Sequence, residues 1–320
     1  TWNNRAISYA YEPGSVFKIV TAAAGLEEGL ADADTPNVYH CEGHETIDGV
    51  TINCSDTSGH GDLSLRDALK YSCNPAFMQL GRKIGAATLY RYYDAFGLFD
   101  YTNFADIGDS GSSGESNSIF WDLDNVGSIE LATMSFGQRF KITPLQMISA
   151  VAAVANDGKL MQPRIAKEIK NTDTGAITTI EPVEVRQVIS KETADTLLDM
   201  LETVVDSGTG SYAQVKGYTI AGKTGTSEAD YSDSNSVKVA SFAAITPVES
   251  PELVILLTLY GPQGDSTGGG TIAAPVVAQI LSEVLPYLEI PSNSTDSEME
   301  TTALTSVVNK TVGEAKKIIE

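Results

Sequence analysis

The chain reads Tyr-Glu-Pro-Gly-Ser-Val-Phe-Lys at residues 11–18, and this stretch decides the fold. Pro13 and Gly14 break the chain, and good helix formers then run from Ser15 to a stop at Gly29. A helix that begins at Ser15 places this serine at the positive end of the helix dipole, where developing negative charge is favoured. Lys18 follows one turn later, so its amine is expected on the same face as the serine hydroxyl.

The pairing of Ser15 with Lys18 suits nucleophilic catalysis. A serine hydroxyl is a poor nucleophile until a base removes its proton, and a lysine whose pKa is lowered by burial can be that base. A single Ser-x-x-Lys pattern occurs by chance in many chains. Taken singly, the two residues are better explained as a helix cap and a solvated lysine, so the pattern needs support from elsewhere.

Two further polar motifs follow along the chain. Ser-Cys-Asn at residues 72–74 falls in a break between two predicted helices, where short side chains can face a cleft. Lys-Thr-Gly-Thr at residues 223–226 lies at the end of a predicted strand, where Gly225 permits close approach of the backbone to an extended ligand. Each motif alone has an ordinary explanation, as a turn or as a strand terminus. The three motifs together, in this order, predict one active-site cleft.

The rest of the chain places helices before a late group of strands. Helices are predicted from Ser64 to the break at residues 72–74, from Pro75 onward, from Thr143 to residue 158, and over residues 191–205 and 273–285. Strands are predicted at residues 218–222, 237–246 and 253–260, with a hairpin turn at 247–251 and a long loop over 100–128. We therefore expect an α/β fold, in which a mainly antiparallel sheet is flanked by helices and a helical subdomain precedes Lys223.

The composition is that of a globular protein with an acidic surface. Hydrophobic residues make up 42% and charged residues 20% of the 320 residues. The formal net charge of −21 argues against nucleic acid as a partner, because phosphate binding needs a positive surface. The longest strongly apolar run, residues 253–260, is too short to cross a membrane, and no signal peptide is visible. Any membrane anchor is expected outside this chain.

Three cysteines, Cys41, Cys54 and Cys73, are too few for a disulfide scaffold. Cys41 and Cys54 flank residues 44–49, which read as a turn between two strands. A disulfide across this hairpin and two unpaired thiols are about equally plausible. A zinc site is the third possibility, with His40, His44, His60 and Asp56 nearby in the sequence. The spacings match no common zinc pattern, so zinc ranks last of the three.

Several longer blocks resemble the class B penicillin-binding proteins. Besides residues 11–18, they are Gly-His-Gly at 59–61, Ser-Phe-Gly-Gln at 135–138, Thr-Pro-Leu-Gln at 143–146, Ala-Asn-Asp-Gly at 155–158 and Ala-Gly-Lys-Thr-Gly-Thr-Ser at 221–227. The resemblance covers roughly residues 8–288. It implies the fold shared by penicillin-binding proteins and serine β-lactamases. It also implies a peptidoglycan D,D-transpeptidase that uses neither a metal nor another cofactor.

The resemblance implies a role for each matching residue. Ser15 would attack the D-Ala-D-Ala amide of a peptidoglycan stem peptide, Lys18 would accept the serine proton, and Ser72 would relay it to the leaving amine. The substrate-binding set would be Asn74 on the peptide backbone, with Lys223, Thr224, Gly225 and Thr226 around the terminal carboxylate. The backbone amides of Ser15 and Thr226 would form the oxyanion hole. An amine of a neighbouring stem peptide would then take the acyl group, and β-lactams, which resemble the same dipeptide, would trap Ser15.

Two features depart from the family pattern. Cys73 stands where many relatives have Asp. Its side chain is expected to face away from the cleft, so Cys73→Ala should leave labelling by penicillin largely intact. The chain also begins shortly before Ser15, whereas relatives supply further strands and a helix from upstream sequence. We therefore expect an exposed sheet edge and marginal stability.

The resemblance also divides the chain. Residues 1–290 are expected to form an N-terminally truncated transpeptidase domain, and residues 291–303, which are rich in Ser, Thr, Asn, Asp and Glu, a linker. Residues 304–320 resemble the start of a PASTA repeat, as in Gram-positive division and sporulation enzymes. These features imply the outer face of the bacterial cell membrane, with an N-terminal anchor absent from this chain. They also imply a glycosyltransferase or another division protein as a partner.

Three other activities fit parts of the pattern. A D,D-carboxypeptidase differs only in using water as the acceptor, although residues 135–146 and the PASTA-like tail favour transpeptidation. A β-lactamase or β-lactam sensor is disfavoured, because no class A glutamate motif is present and class D relatives have an apolar residue in place of Asn74. A catalytically inactive wall-binding protein is disfavoured because Ser15, Lys18 and the other motif residues are intact.

Overall fold

The computed structural model describes residues 3–104, 114–228 and 237–293. The helices within these ranges are α1 (Arg5–Ser8), α2 (Lys18–Glu27), α3 (Leu65–Lys70), α4 (Asn74–Ile84), α5 (Ala86–Ala95), α6 (Ser128–Met134), α7 (Pro144–Ala155), α8 (Lys191–Ser207), α9 (Gly269–Ile272) and α10 (Ala274–Tyr287). The strands are β1 (Tyr39–Cys41), β2 (His44–Ile47), β3 (Val50–Asn53), β4 (Gly61–Leu63), β5 (Lys159–Met161), β6 (Glu168–Lys170), β7 (Ile177–Thr179), β8 (Glu184–Gln187), β9 (Ala221–Glu228), β10 (Lys238–Thr246) and β11 (Leu253–Tyr260).

The largest sheet has three antiparallel strands in the order β11-β10-β9. The β10–β11 hairpin places Thr246 opposite Leu253, as the predicted turn at residues 247–251 requires. Side chains along β10 alternate between the two faces of the sheet. Phe242 packs into one apolar cluster, and its neighbour Ala243 packs into the other.

Helices cover both faces of this sheet. On the Phe242 face, α10 contributes the buried side chains of Val277, Leu281 and Leu285. On the Ala243 face, α7 and α8 pack against the strands and belong to the larger cluster. This arrangement confirms the expected α/β architecture, with an antiparallel sheet between helical layers.

Helix α2 lies at the centre of the larger apolar cluster. Its Val20, Ala22, Ala23 and Ala24 side chains are fully buried. Helices α4, α5 and α8 pack around it. Helices α3 to α6 lie between α2 and the sheet-covering helices α7 and α8 in the sequence, and α4 and α5 contact α2, as the predicted helical subdomain requires.

Three predicted elements have the wrong boundaries. Residues 44–49, predicted as a turn between two strands, belong to strand β2 as far as Ile47, and only Asp48 and Gly49 form the turn to β3. The helix predicted from Ser15 begins as a 3-10 turn, Gly14–Phe17, and becomes α-helical only at Lys18. The strand predicted at residues 218–222 is β9, so residues 223–226 lie inside a strand and not at its end. Pairing with β10 extends β9 through polar residues that carry no apolar alternation in the sequence. Helices α1, α5, α6 and α9 and the short strands β4 to β8 were not predicted.

One helical stretch in the described ranges, Gly269–Tyr287, is long and apolar enough to cross a membrane. Its apolar stripe is buried against the sheet, as a core helix requires, so its length and composition alone are weak evidence for a span. The predicted PASTA-like segment at 304–320, and the predicted linker beyond residue 293, lie outside the described residues. So does part of the predicted loop at 100–128, namely residues 105–113.

Candidate active site

Ser15 lies in the tight turn that precedes α2. The turn is held from behind by a hydrogen bond from the Gly14 amide to the Gly137 carbonyl, at 2.9 Å. Gly137 belongs to the Ser-Phe-Gly-Gln block at residues 135–138, so this block supports the turn. The turn also packs against β9. The protein therefore fixes the backbone around Ser15 between two segments that are distant in the sequence.

Lys18 is fully buried one turn after Ser15. Its Nζ donates to the Ser72 carbonyl at 2.6 Å and to the Asn74 Oδ1 at 2.7 Å, and it lies 3.2 Å from the Ser72 Oγ. Burial lowers the pKa of Lys18 to about 7, against an opposing effect of the nearby cysteine thiols. A lysine with this pKa is partly neutral near pH 7 and can accept a proton.

The turn between α3 and α4 brings Ser72 and Asn74 to Lys18. Ser72 has a φ of 56°, a left-handed conformation that costs a non-glycine residue of order 1 kcal/mol or more. The Cys73 amide donates to the Ala68 carbonyl at 2.9 Å, and the Asn74 side chain donates to the Asn53 carbonyl at 3.2 Å. These contacts hold the strained turn, which presents both motif side chains to the lysine.

Strand β9 carries Lys223, Thr224, Gly225 and Thr226 past the turn. Lys223 is fully buried, and its Nζ lies 3.2 Å from the Thr224 carbonyl and 3.3 Å from the Thr224 Oγ1. Burial, and secondly the charge of Lys18, hold the pKa of Lys223 well below its ordinary value. An arriving carboxylate would raise that pKa and favour the cationic form.

The structure gives Gly225 a different role from the predicted approach to a ligand. A Cβ on this residue would lie 2.3 Å from the Ser241 Oγ, 2.8 Å from the Val16 Cγ2 and 3.1 Å from the Pro13 carbonyl oxygen. Gly225 therefore lets β9 pack directly against β10 and against the turn that holds Ser15. Its contact with a ligand stays a prediction.

A cavity of about 440 Å³ joins these parts. The predicted residues that line it are Ser15, Ser72, Asn74, Thr224 and Thr226. Lys18 and Lys223 lie in the protein interior, and Cys73 is buried and turned towards the other two cysteines. The expectation that the Cys73 side chain faces away from the cleft is therefore in accord with its position.

One wall of the cavity was missed by the sequence analysis. It consists of residues 208–209 and 211–212, which follow α8, and of residues 268–271, which form the start of α9. The Gly269 amide donates to the Thr226 Oγ1 at 3.1 Å, and the Thr209 Oγ1 lies 3.1 Å from the Thr224 Oγ1. The glycine run at 268–270 is the one signal that could have drawn attention to this wall.

Known proteins resemble this chain over most of its length. The penicillin binding protein transpeptidase domain matches residues 1–282. The chain is 37% identical over 292 residues to stage V sporulation protein D of Bacillus subtilis, covering 90% of this chain and 44% of that protein. It is 33% identical over 283 residues to the peptidoglycan D,D-transpeptidase PbpA of Mycolicibacterium smegmatis, covering 85% of this chain and 55% of that protein.

Solved structures support the same relationship. Penicillin binding protein 3 from Mycobacterium tuberculosis, complexed with aztreonam, superposes with a TM-score of 0.79 at 30% identity. The alignment covers 92% of this chain and 66% of that chain. The chain therefore spans about half the length of the two sequence relatives, and the domain match covers most of its own length. It belongs to the penicillin-binding protein transpeptidase family.

Proposed function

We propose that this chain cross-links peptidoglycan stem peptides as a serine-type D,D-transpeptidase and that β-lactams acylate it at Ser15. The observation that carries the proposal is the buried amine of Lys18, which contacts the Ser72 and Asn74 side chains beside a cavity that Ser15 also lines. A lysine with a pKa of about 7 suits a general base at neutral pH. The names of the relatives support the same reaction class.

The first half of the reaction forms an acyl-enzyme. Lys18 Nζ accepts the proton of the Ser15 hydroxyl as the Ser15 Oγ bonds to the carbonyl carbon of the D-Ala-D-Ala amide. The backbone amides of Ser15 and Thr226 donate to the carbonyl oxygen as it becomes negative. The proton passes through the Ser72 Oγ, 3.2 Å from Lys18 Nζ, to the departing amine as the C–N bond breaks. The released product is D-Ala.

Substrate recognition uses the other motif residues. Lys223, Thr224 and Thr226 bind the terminal carboxylate, and Gly225 gives their strand its place beside the Ser15 turn. Asn74 binds the peptide backbone of the donor. In the second half, an amine of another stem peptide attacks the ester, and the Ser15 hydroxyl is restored. In a β-lactam the C–N bond of the ring breaks instead, and the amine stays attached to the acyl group.

The proposal extends to the setting of the domain. We assign residues 1–290 to the transpeptidase domain, residues 291–303 to a linker and residues 304–320 to the start of a PASTA repeat. Lipid-linked wall precursors require a place on the outer face of the cell membrane and a glycosyltransferase that supplies glycan strands. A D,D-carboxypeptidase would use the same residues with water as the acceptor.

Labelling with a penicillin tests the acyl-enzyme. The chain, incubated with a labelled penicillin and digested, should carry one stable covalent adduct on the peptide that contains Ser15. Ser15→Ala should abolish the label, whereas Ser55→Ala, which removes another serine from the same cavity, should keep it. An adduct on another peptide, or one that clears within seconds, would contradict the proposal. A stem-peptide donor with an added amine acceptor then separates cross-linking from hydrolysis.

A further inference from the structure

The three cysteines and one histidine meet at a single point beside the active site. The Cys41 Sγ and the Cys54 Sγ each lie 3.6 Å from the Nδ1 of His60. With the Cys73 Sγ, the four atoms that could hold a metal all lie within 4.8 Å of one another. The cysteines are buried and His60 is half-buried, and the three cysteines form no disulfide in the structure.

This spacing is the one that a tetrahedral zinc ion requires. Zinc binds cysteine sulfur at about 2.3 Å and histidine nitrogen at about 2.0–2.1 Å, so neighbouring sulfur and nitrogen ligands stand about 3.6 Å apart. The distances from the His60 Nδ1 to the Cys41 and Cys54 sulfurs both have this value. A disulfide between two of the cysteines would use neither the third thiol nor the imidazole.

The backbone around the cluster is shaped to bring its members together. Cys41 ends β1, Cys54 follows β3 and His60 precedes β4. Gly43 has a φ of 87°, and a Cβ on it would lie 2.1 Å from the Thr57 carbonyl oxygen, so only glycine allows this close approach of the two loops.

Two further contacts prepare Cys41 and His60 to bind a metal, the first by stabilising a thiolate and the second by restraining the imidazole ring. The Gly43 amide donates to the Cys41 Sγ at 3.4 Å, and such a bond stabilises a thiolate. The ring of His60 stacks on Tyr71, with centroids 5.6 Å apart and planes at 12°, which restrains the orientation of the imidazole.

We propose that Cys41, Cys54, His60 and Cys73 bind one zinc ion. Three thiolates and an imidazole are the donors that zinc prefers over magnesium or calcium. Four protein ligands leave no position for water or substrate, so the ion is structural. This inference goes beyond the transpeptidase reaction and does not depend on it. The sequence analysis expected no metal and ranked zinc below a disulfide and below unpaired thiols as the state of the cysteines. The proposed zinc site replaces both expectations.

The proposed ion ties the hairpin region to the catalytic turn. Cys73 stands between Ser72 and Asn74, which both contact the Lys18 amine. Asn74 also donates to the carbonyl of Asn53, the residue before Cys54. Zinc would hold β1, β3 and the start of α4 at one point and so keep the turn in place. Removal of the ion should slow acylation by a penicillin, and Cys73→Ala should do the same, contrary to the expectation from the sequence.

Metal analysis of the full chain tests the site without reference to enzymatic activity. The protein is purified under reducing conditions, exposed to zinc sulfate, desalted and measured by inductively coupled plasma mass spectrometry. We expect one zinc per chain. X-ray absorption of the same sample should show three sulfur ligands at about 2.3 Å and one nitrogen at about 2.0 Å. Substitution by cobalt should give the thiolate-to-metal charge-transfer bands of a tetrahedral site.

Matched variants identify the ligands. Cys41→Ser, Cys54→Ser, Cys73→Ser and His60→Ala should each lose most of the zinc. His44→Ala should retain it, because this exposed histidine lies on the neighbouring strand β2 and outside the cluster. The proposal is overturned if the wild-type chain with free thiols binds no zinc, or if its absorption spectrum lacks sulfur ligands. It is also overturned if zinc-treated protein carries a disulfide between two of these cysteines, or if His44→Ala alone loses the metal.

Discussion

At the residue scale, the chemistry depends on the surroundings of Lys18. Its amine is enclosed by Phe77 and Phe136, whose ring centroids lie 5.4 and 6.0 Å away, and by the polar groups of the Ser72–Asn74 turn. The ionisable groups that act on it are Lys223 and the cysteines of the cluster. Burial is the dominant effect, and it lowers the pKa of Lys18 to about 7.

This pKa predicts the pH dependence of acylation. Only the neutral amine can accept the Ser15 proton, so the second-order rate constant for a penicillin should rise about tenfold per pH unit below pH 7 and level off above it. Stopped-flow measurements between about pH 5 and pH 9 would show the rise. Lys18→Arg should lose roughly 10²- to 10⁴-fold in rate, because a guanidinium stays protonated throughout this range.

A rate that falls as the pH rises through 7 would contradict a base with this pKa. Near-ultraviolet circular dichroism at each pH provides the control, since a constant spectrum shows that the fold does not change over the range. For Lys18→Arg the same spectrum separates loss of the base from loss of the structure.

Much of the site was predictable at this scale. The order of Ser15, Ser72 and Lys223 along the chain identified the three elements that meet, because each motif lies at a chain break or on a strand that borders the cavity. The positive φ of Ser72 and the convergence of Cys73 with Cys41, Cys54 and His60 were not predictable. Both depend on tertiary contacts, and the cysteine spacing follows no common zinc pattern.

At the element scale, local signals predicted helices better than strands. The start of α7 follows from its own sequence, because Thr143 and Gln146 form a capping box and Pro144 takes the first turn. The extent of β9 does not follow from its own sequence. Its residues 223–227 carry no apolar side chain and are held in the strand by their pairing with β10. Strands β6 and β7 are short and exposed on all residues, so they carry no alternation to detect.

The cap of α7 gives a prediction of stability. The Thr143 Oγ1 accepts a hydrogen bond from the backbone N–H of Gln146 at 3.2 Å, and Thr143 is fully buried. Thr143→Ala should lower the free energy of unfolding by about 1–2 kcal/mol, because it leaves an amide of the first turn without its partner. Thr143→Ser keeps the hydroxyl and should lose less. Urea denaturation of the three proteins measures the difference, and equal losses in both variants would show that packing of the methyl group, and not the cap, is what matters.

At the scale of the whole molecule, the cavity is assembled from segments spread across the chain. The Ser15 turn, the Ser72–Asn74 turn, β9 and the start of α9 at residues 268–271 each contribute one wall. The first three could be expected to meet because each carries a motif. The fourth could not, since its position follows from the packing of α9 against β9 and β10.

The charge of the whole chain predicts how its stability depends on salt. With 42 acidic residues against 21 basic ones, the acids outnumber the bases two to one, so the folded state carries net repulsion at pH 7. Sodium chloride raised from about 10 mM to about 150 mM shortens the screening length from about 30 Å to about 8 Å and should weaken this repulsion. We expect the melting temperature, measured by calorimetry, to rise by at least about 2 °C.

Surface ion pairs oppose this effect, because salt weakens attraction as well as repulsion. One group of them is at Arg66, which contacts Asp34 at 2.6 Å and Asp199 at 2.7 Å. Exposed pairs of this kind contribute about 0–1 kcal/mol each, so the excess of unpaired acids should dominate. Near the isoelectric point of about 4.4 the repulsion vanishes, and the same salt step should leave the melting temperature unchanged or lower it. A melting temperature that falls with salt at pH 7 would mean that the ion pairs, and not the net charge, control the electrostatic part of the stability.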